Sequence, residues 1–245
     1  MLRTWLDHPL RPGATTVTLS PEASAHLVRS LRARRGDTVV LLDGAGLIAE
    51  GRLSSADGNA AQVELLKVSR APAPSPQLIL AQAMPKGGTM DDLVRSVAEA
   101  GASEIIPLMT ARCEVRLDPE RAAVKAARWR DQAIEACKQC GNPWLTEIAP
   151  PASFRAWMDA LPSPVGGELR LTASLEIDAE PLAHVNFTNI ARVTWLVGPE
   201  GDLTPEELAG ARHAGFRPVS LGRLTLRAEN AALACMVATQ VLAAR

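Results

Sequence analysis

Hydrophobic and polar positions first alternate along this chain. Thr15 to Ser20 (TTVTLS) and Asp37 to Asp43 (DTVVLLD) are short β-branched runs closed by turn residues, the pattern of strands. A longer alternating stretch from Leu47 to Ser69 is broken by Asp57-Gly58-Asn59, a turn signal between two strands. One segment departs from this period. Ser20 as N-cap and Pro21 at the first helical position predict a helix over Pro21–Arg34. Together these elements predict a small β-barrel with one helix over residues 1–70.

The period changes after Arg70. Three prolines in RAPAPSP (Arg70–Pro76) make an extended linker, 71–76. Beyond it, apolar strands alternate with helices. QLILAQA (Gln77–Ala83) reads as a buried strand, and a helix starts near Thr89 and ends at Gly101. EIIPLM (Glu104–Met109) is the next strand. Asp118-Pro119 opens a long helix that reaches about Cys140, where Gly141-Asn142-Pro143 stops it. LRLTASL, VTWLVGP and FRPVSLG read as further strands, and AALACMVATQVLAAR as a last helix capped by Asn230. Strand–helix alternation predicts an α/β domain over residues 77–245, a parallel sheet with helices on both faces.

Composition narrows the function classes. The 245 residues are 47% hydrophobic and 22% charged, the balance of a globular protein that buries a core without disulfides. No apolar run approaches the roughly 18 residues of a membrane helix. MLRTWLDHPLRPG has no apolar stretch of a secretory signal, so a cytoplasmic location is expected. Four cysteines make no disulfide framework, and Cys137-x-x-Cys140, at a helix C-terminus and without a second pair, reads as incidental, with no metal expected. The net charge of −1 gives no global argument for nucleic acid. Arg supplies 22 of the 26 basic residues, a bias that a GC-rich genome also produces, but Arg29, Arg32, Arg34 and Arg35 stand close enough together to neutralise phosphates. With 3% aromatic residues and no Tyr, base-stacking platforms are scarce.

The chemistry concentrates after Val193. A buried strand leads into Gly198-Pro199-Glu200-Gly201-Asp202, then Thr204-Pro205-Glu206-Glu207, where Thr204 and Glu207 have capping-box spacing. The strand FRPVSLG ends at Gly222 and leads through RLTLRAE to the last helix. Two Gly-bearing loops at adjacent carboxyl ends of a parallel sheet make a ligand site, although ordinary strand-to-helix turns have the same grammar. Neither a dinucleotide nor a P-loop fingerprint is present, and carboxylates in the first loop disfavour a triphosphate.

The stretch VGPEGDLTPEELAGARHAGFRPVSLGRLTLRAENAALA resembles the C-terminal signature of SPOUT-class methyltransferases, and more narrowly the family that methylates uracil N3 in the small-subunit 16S ribosomal RNA. HLVRSLRARRGD resembles that family's N-terminal signature, with His26, Leu31, Arg32 and Gly36 in place. PKGGTMDDLVRSVAEAGASEIIPLMTARC (with Lys86, Met90, Gly101, Pro107 and Arg112) and RWRDQAIEACKQCG (with Trp129, Glu135 and Gln139) resemble two more, so the resemblance spans essentially the whole chain. It implies an N-terminal PUA-like barrel that helps hold RNA. It also implies a C-terminal domain with a trefoil knot, S-adenosyl-L-methionine as cofactor, a homodimer, and an assembled small ribosomal subunit as partner. Asp202 stands where the family usually has Gly, Ala228 and Asn230 where it has Thr, Gly88-Thr89 where it has an acidic–basic pair, and Asn142 where it has Arg.

On this basis Arg227 is the expected catalytic residue, with Glu229 orienting it or capping the last helix. Thr172, Leu196, Gly198, Glu200, Gly201, Leu221, Gly222 and Leu226 are expected at the cofactor. His26, Arg29, Arg32, Lys86, Arg112 and Arg128 are expected at RNA. Two other readings fit the same signature: a knotted methyltransferase acting on a ribose hydroxyl or another base, and a non-catalytic RNA-binding protein of the same fold.

Overall fold

The structure, a computed structural model, describes residues 1–244. Their contacts form two compact units. One comprises Met1–Ala73 with Ile134–Leu145; the other comprises Pro74–Ala133 and the chain from Thr146 onward.

In the first unit, β1 (Leu2–Trp5), β2 (Thr16–Thr18), β3 (Thr38–Leu42), β4 (Leu47–Ser55) and β5 (Gln62–Arg70) form a sheet of order β1-β3-β4-β5-β2, in which only the β1–β3 pair is parallel. Alternate residues of these strands (Val17, Val39, Leu41, Ala49, Leu53, Val63) meet Leu27 in one buried core, which is why the sequence alternates. The run TVVLL is apolar on both faces because Val40 and Leu42 bury against Trp5, Ile134, Cys137 and Leu145 on the other side of β3. That contact explains why 134–145, expected inside the C-terminal domain, packs here. Gly44 closes this layer at φ +75. A Cβ there would fall 2.5 Å from the Trp5 ring, so both the backbone and the space require glycine.

The helix expected over Pro21–Arg34 is shorter. α1 (Pro21–Ala25) widens into a π-turn over His26–Ser30, where Leu31 N–H donates to His26 O. Arg32 then takes φ +56, Ala33 turns into the core with its N–H on Leu27 O, and Arg34 N–H donates to Asp37 Oδ2. Burial of Ala33 outweighs continuation of the helix.

In the second unit, β6 (Gln77–Ala83), β7 (Glu104–Met109), β8 (Glu147–Ile148), β10 (Glu168–Ala173), β11 (Glu180–Pro181), β12 (Arg192–Val197) and β13 (Arg217–Ser220) form an all-parallel sheet of order β11-β13-β10-β12-β6-β7-β8, and β9 (Ala152–Ser153) also pairs with β7. On one face Ala81, Leu108 and Leu196 pack against Phe154 and Trp157 of α4 (Phe154–Ala160) and Ala211 of α5 (Pro205–His213). On the other lie α2 (Thr89–Glu99) and α6 (Ala228–Ala243). Here the fully buried Trp195 of β12 donates from Nε1 to Thr239 Oγ1 of α6 at 2.9 Å, and the Thr239 hydroxyl in turn donates to Cys235 O at 2.7 Å. α3 (Pro119–Cys140) begins in this unit, tied to α2 through Trp129 Nε1 on Asp91 Oδ1. β1 and α4 are elements that the sequence patterns did not signal. α6 begins at Ala228 rather than after Asn230. Arg227 is its N-cap, and Asn230 lies exposed in its first turn.

The amino ends of the strands hold one electrostatic conflict. Glu104, half-buried, pairs in register with Glu147. Burial first, then the Glu147 charge, raises its carboxyl above the ordinary value of 4.5, and Arg192 offsets only part. A raised carboxyl favours the fold below the unfolded value and costs stability as pH rises through the folded one. Glu104→Gln is therefore expected to raise Tm by about 1–3 °C at pH 8 and by nothing at pH 4. Thermal melts at both pH values check this; equal melts at pH 8 would contradict it.

Candidate functional site

The topology builds a site at the carboxyl ends of the second sheet. β12 lies between β10 and β6, and the chain leaves its end through α5 to return as β13 on the far side of β10. The loops after β10, β12 and β13 therefore converge at a switch in strand order, where ligands of open parallel sheets bind. They enclose a cavity of about 290 Å³, near the lower end of the roughly 300–1,000 Å³ of small-molecule sites. A larger cavity of about 550 Å³ lies at the opposite, amino ends of the strands, beside Gln77, Glu104 and Arg192. The smaller one holds the Gly-rich loops and a guanidinium.

Of the expected cofactor residues, Gly198, Glu200, Leu221, Gly222 and Leu226 line this cavity, and so does Arg227. Thr172, Leu196 and Gly201 do not. Leu196 points to the α4–α5 face and is fully buried; Thr172 is buried and donates to Leu196 O at 3.1 Å. Side chains alternate along a strand, so the next residues, Val197 and Ala173, face the cavity instead. Gly201 faces Arg112. The sequence reading also missed Ser174, Leu175, Leu224 and Thr225 of the lining, because it carried the strand of β10 two residues too far and read the last connection without its apolar side chains.

The first Gly-bearing loop is braced from three sides. Asp202 N–H donates to Pro199 O at 2.9 Å, closing a turn. Thr204 and Glu207 form the expected capping box, and the second Glu207 oxygen accepts Ala111 N–H at 2.7 Å. Lys86 N–H donates to Glu200 Oε1 at 3.2 Å. Arg112 donates to the carbonyls of Gly201 and Leu203 at 2.8 and 3.2 Å. One guanidinium nitrogen of this residue, expected at RNA, thus holds the loop, while the side chain stays exposed.

Arg227 is exposed, and among the described residues its guanidinium has no hydrogen bond or ion pair. Glu229 sits in the first turn of α6, without a bond to Arg227 and outside the cavity lining. Cys235, deeper in α6, is fully buried, and burial pushes its thiol up, which keeps it out of nucleophilic chemistry.

The remaining RNA candidates fall in two places. Arg29 donates to Asn59 Oδ1 at 2.9 Å and lies over the Asp57–Asn59 turn, beside half-buried His26. Arg32, Arg34 and Arg35 follow with exposed guanidinium groups that no described residue engages. In the second unit Lys86 is exposed, while Arg128 is ion-paired with Asp91.

Two family profiles match the chain: an RNA methyltransferase PUA domain over residues 19–66 and an RNA methyltransferase domain over residues 72–240. A ribosomal RNA small subunit methyltransferase E from Synechocystis sp. is 33% identical over 218 residues, covering 88% of this chain and 70% of the relative. One from Mycobacterium bovis is 26% identical over 220 residues, covering 90% and 84%. The crystal structure of a ribosomal RNA small subunit methyltransferase E from Neisseria gonorrhoeae bound to S-adenosyl methionine matches with a TM-score of 0.87 at 31% identity, covering 99% of this chain and 98% of that one. A Legionella pneumophila methyltransferase in complex with the bound cofactor SAM matches with a TM-score of 0.84 at 28% identity, covering 98% and 97%. The chain belongs to the RNA methyltransferase family of the ribosomal RNA small subunit methyltransferase E proteins.

Proposed function

We propose that this protein transfers a methyl group from S-adenosylmethionine to N3 of a uracil in 16S ribosomal RNA. The observation that carries this reading is the cavity at the switch in strand order, where glycine backbone, apolar side chains and one unpaired guanidinium converge. The lining fits the cofactor. Leu221, Leu226, Val197 and Pro199 offer apolar walls to a flat base, and the open backbone at Gly198 and Gly222 lets a ligand approach peptide groups. When bound, the cofactor supplies an electrophilic methyl on a sulfonium.

The protein's own part is electrostatic. Uracil N3 is a poor nucleophile until its proton leaves, and the negative charge that develops spreads onto the ring carbonyl oxygens. Arg227 is placed in the lining with its guanidinium unpaired, so it is free to meet that charge and stays cationic at working pH. Glu229, without a bond to Arg227, favours the start of α6 through the helix dipole. The Glu207 and Arg112 contacts hold the first loop so that the cavity is formed before ligand arrives.

The N-terminal unit supplies RNA affinity in this reading. Arg32, Arg34 and Arg35 present guanidinium groups to solvent, and such groups suit bidentate phosphate contacts. Arg32→Ala is expected to weaken RNA binding, to lower the slope of log affinity against log salt by about one, and to leave cofactor affinity unchanged. Binding isotherms at several salt concentrations check this, and an unchanged slope would remove Arg32 from the RNA surface. A homodimer acting on the assembled small subunit in the cytoplasm completes the proposal.

Calorimetric titration of the protein with S-adenosylmethionine tests the reading at its base. Saturable one-site binding supports it; no binding by the folded protein overturns it.

A further inference from the structure

Asp202 adopts φ +62, a left-handed conformation that glycine takes freely and an L-residue takes at a cost. Its side chain supports the turn, with Oδ1 accepting Leu203 N–H at 2.7 Å. The same carboxylate lies over Gly198, where an added Cβ would come within 3.1 Å of Oδ1. Gly198, Glu200, Asp202 and Arg227 all line the cavity. Glu200 is drawn to the Lys86 N–H by one oxygen. The lining thus carries two carboxylates against one guanidinium, and Asp202, an exposed residue, adds its charge at the rim.

That charge bears on which ligand stays. Methyl transfer breaks the S–CH3 bond and leaves its electron pair on sulfur; the new N–CH3 bond uses the nitrogen lone pair, and the N–H proton goes to water. The sulfur enters positive and leaves neutral. The ligand therefore loses a methyl group and a positive charge together, and a carboxylate in the lining responds to the charge.

We propose that Asp202 is a specificity-determining residue that makes the cavity prefer the charged sulfonium over the uncharged thioether product, and so favours product release. The proposal rests on the cofactor reading above. One carboxylate acting across a partly solvated cavity changes the affinity ratio by about three- to tenfold. Position 202 does this without new backbone strain in the variants that test it: Asn tolerates left-handed φ and keeps an oxygen for Leu203 N–H, and Gly is unstrained there.

The test measures dissociation constants of S-adenosylmethionine, S-adenosylhomocysteine and sinefungin, whose amine replaces the sulfonium by another cation, for the full chain and for Asp202→Asn and Asp202→Gly. The expected result is that both variants lose about three- to tenfold of the preference for the two cations over S-adenosylhomocysteine. The loss shrinks in about 0.5 M salt. An unchanged ratio in both variants overturns the proposal while the cofactor reading stands, and so does parallel weakening of all three ligands, the mark of a loop-shaping role. Absence of binding of any of the three by the unmodified protein overturns the cofactor reading and the proposal with it.

Discussion

Arg227→Ala is expected to lower the rate of methyl transfer by about 10²–10³, the loss that follows removal of one donor aimed at developing charge. Tm should hardly move. The side chain is exposed and has no partner among the described residues, so its truncation leaves no buried group unsatisfied and opens no space in the core. Only its backbone carbonyl serves the helix, accepting Ala231 N–H at 2.8 Å, and alanine keeps that bond. Arg227→Lys keeps the charge but not the planar pair of donors, and should recover part of the rate. Single-turnover kinetics with saturating cofactor separates this from a binding defect. Undiminished turnover in Arg227→Ala would take the residue out of the chemistry.

Trp195→Ala is expected to be the most destabilising single change in the second unit, by about 3–5 kcal/mol, or roughly 10 °C in Tm. The indole is fully buried in the central strand, and its truncation leaves a cavity between sheet and helix. It also removes the Nε1 bond to Thr239, which links β12 to α6. Those two elements carry opposite sides of the site, Val197 and Gly198 from one and Ala228 and Ala231 from the other. Cofactor affinity should fall along with stability, even though residue 195 does not line the cavity. Trp195→Phe keeps most of the volume, and Thr239 still donates to Cys235 O, so its cost should be about 1–2 kcal/mol. Melts of both variants, with and without ligand, test this. Equal melting of Trp195→Ala and the unmodified protein would contradict the packing described here.

Much of this architecture is legible in the chain because local and tertiary preferences agree. Gln77–Ala83 and Glu104–Met109 are apolar because they are interior strands of a sheet covered on both faces, and α5 begins where Thr204, Pro205 and Glu207 say it must. Where local signals are weak or overridden, the sequence misleads. Leu2–Trp5 is too short to announce a strand and exists because it pairs in parallel with β3. The helix after Ser20 stops at Ser30 because Ala33 is needed in the core. At the site, glycine marks the loops, but the facing of neighbouring residues depends on strand register. Val197 lines the cavity, whereas the side chain of Leu196, one residue earlier, packs on the other face. Arg112 also braces the first loop through two carbonyls about ninety residues away, a contact that no local pattern announces.

The most direct test of the central claim is a methyl-transfer assay. Small ribosomal subunits lacking the modification are incubated with the protein and methyl-labelled S-adenosylmethionine, and the RNA is digested to nucleosides. The account expects the label in 3-methyluridine, with Arg227→Ala depositing little of it. Label in a different nucleoside, or none from a folded protein that binds cofactor and RNA, would contradict it.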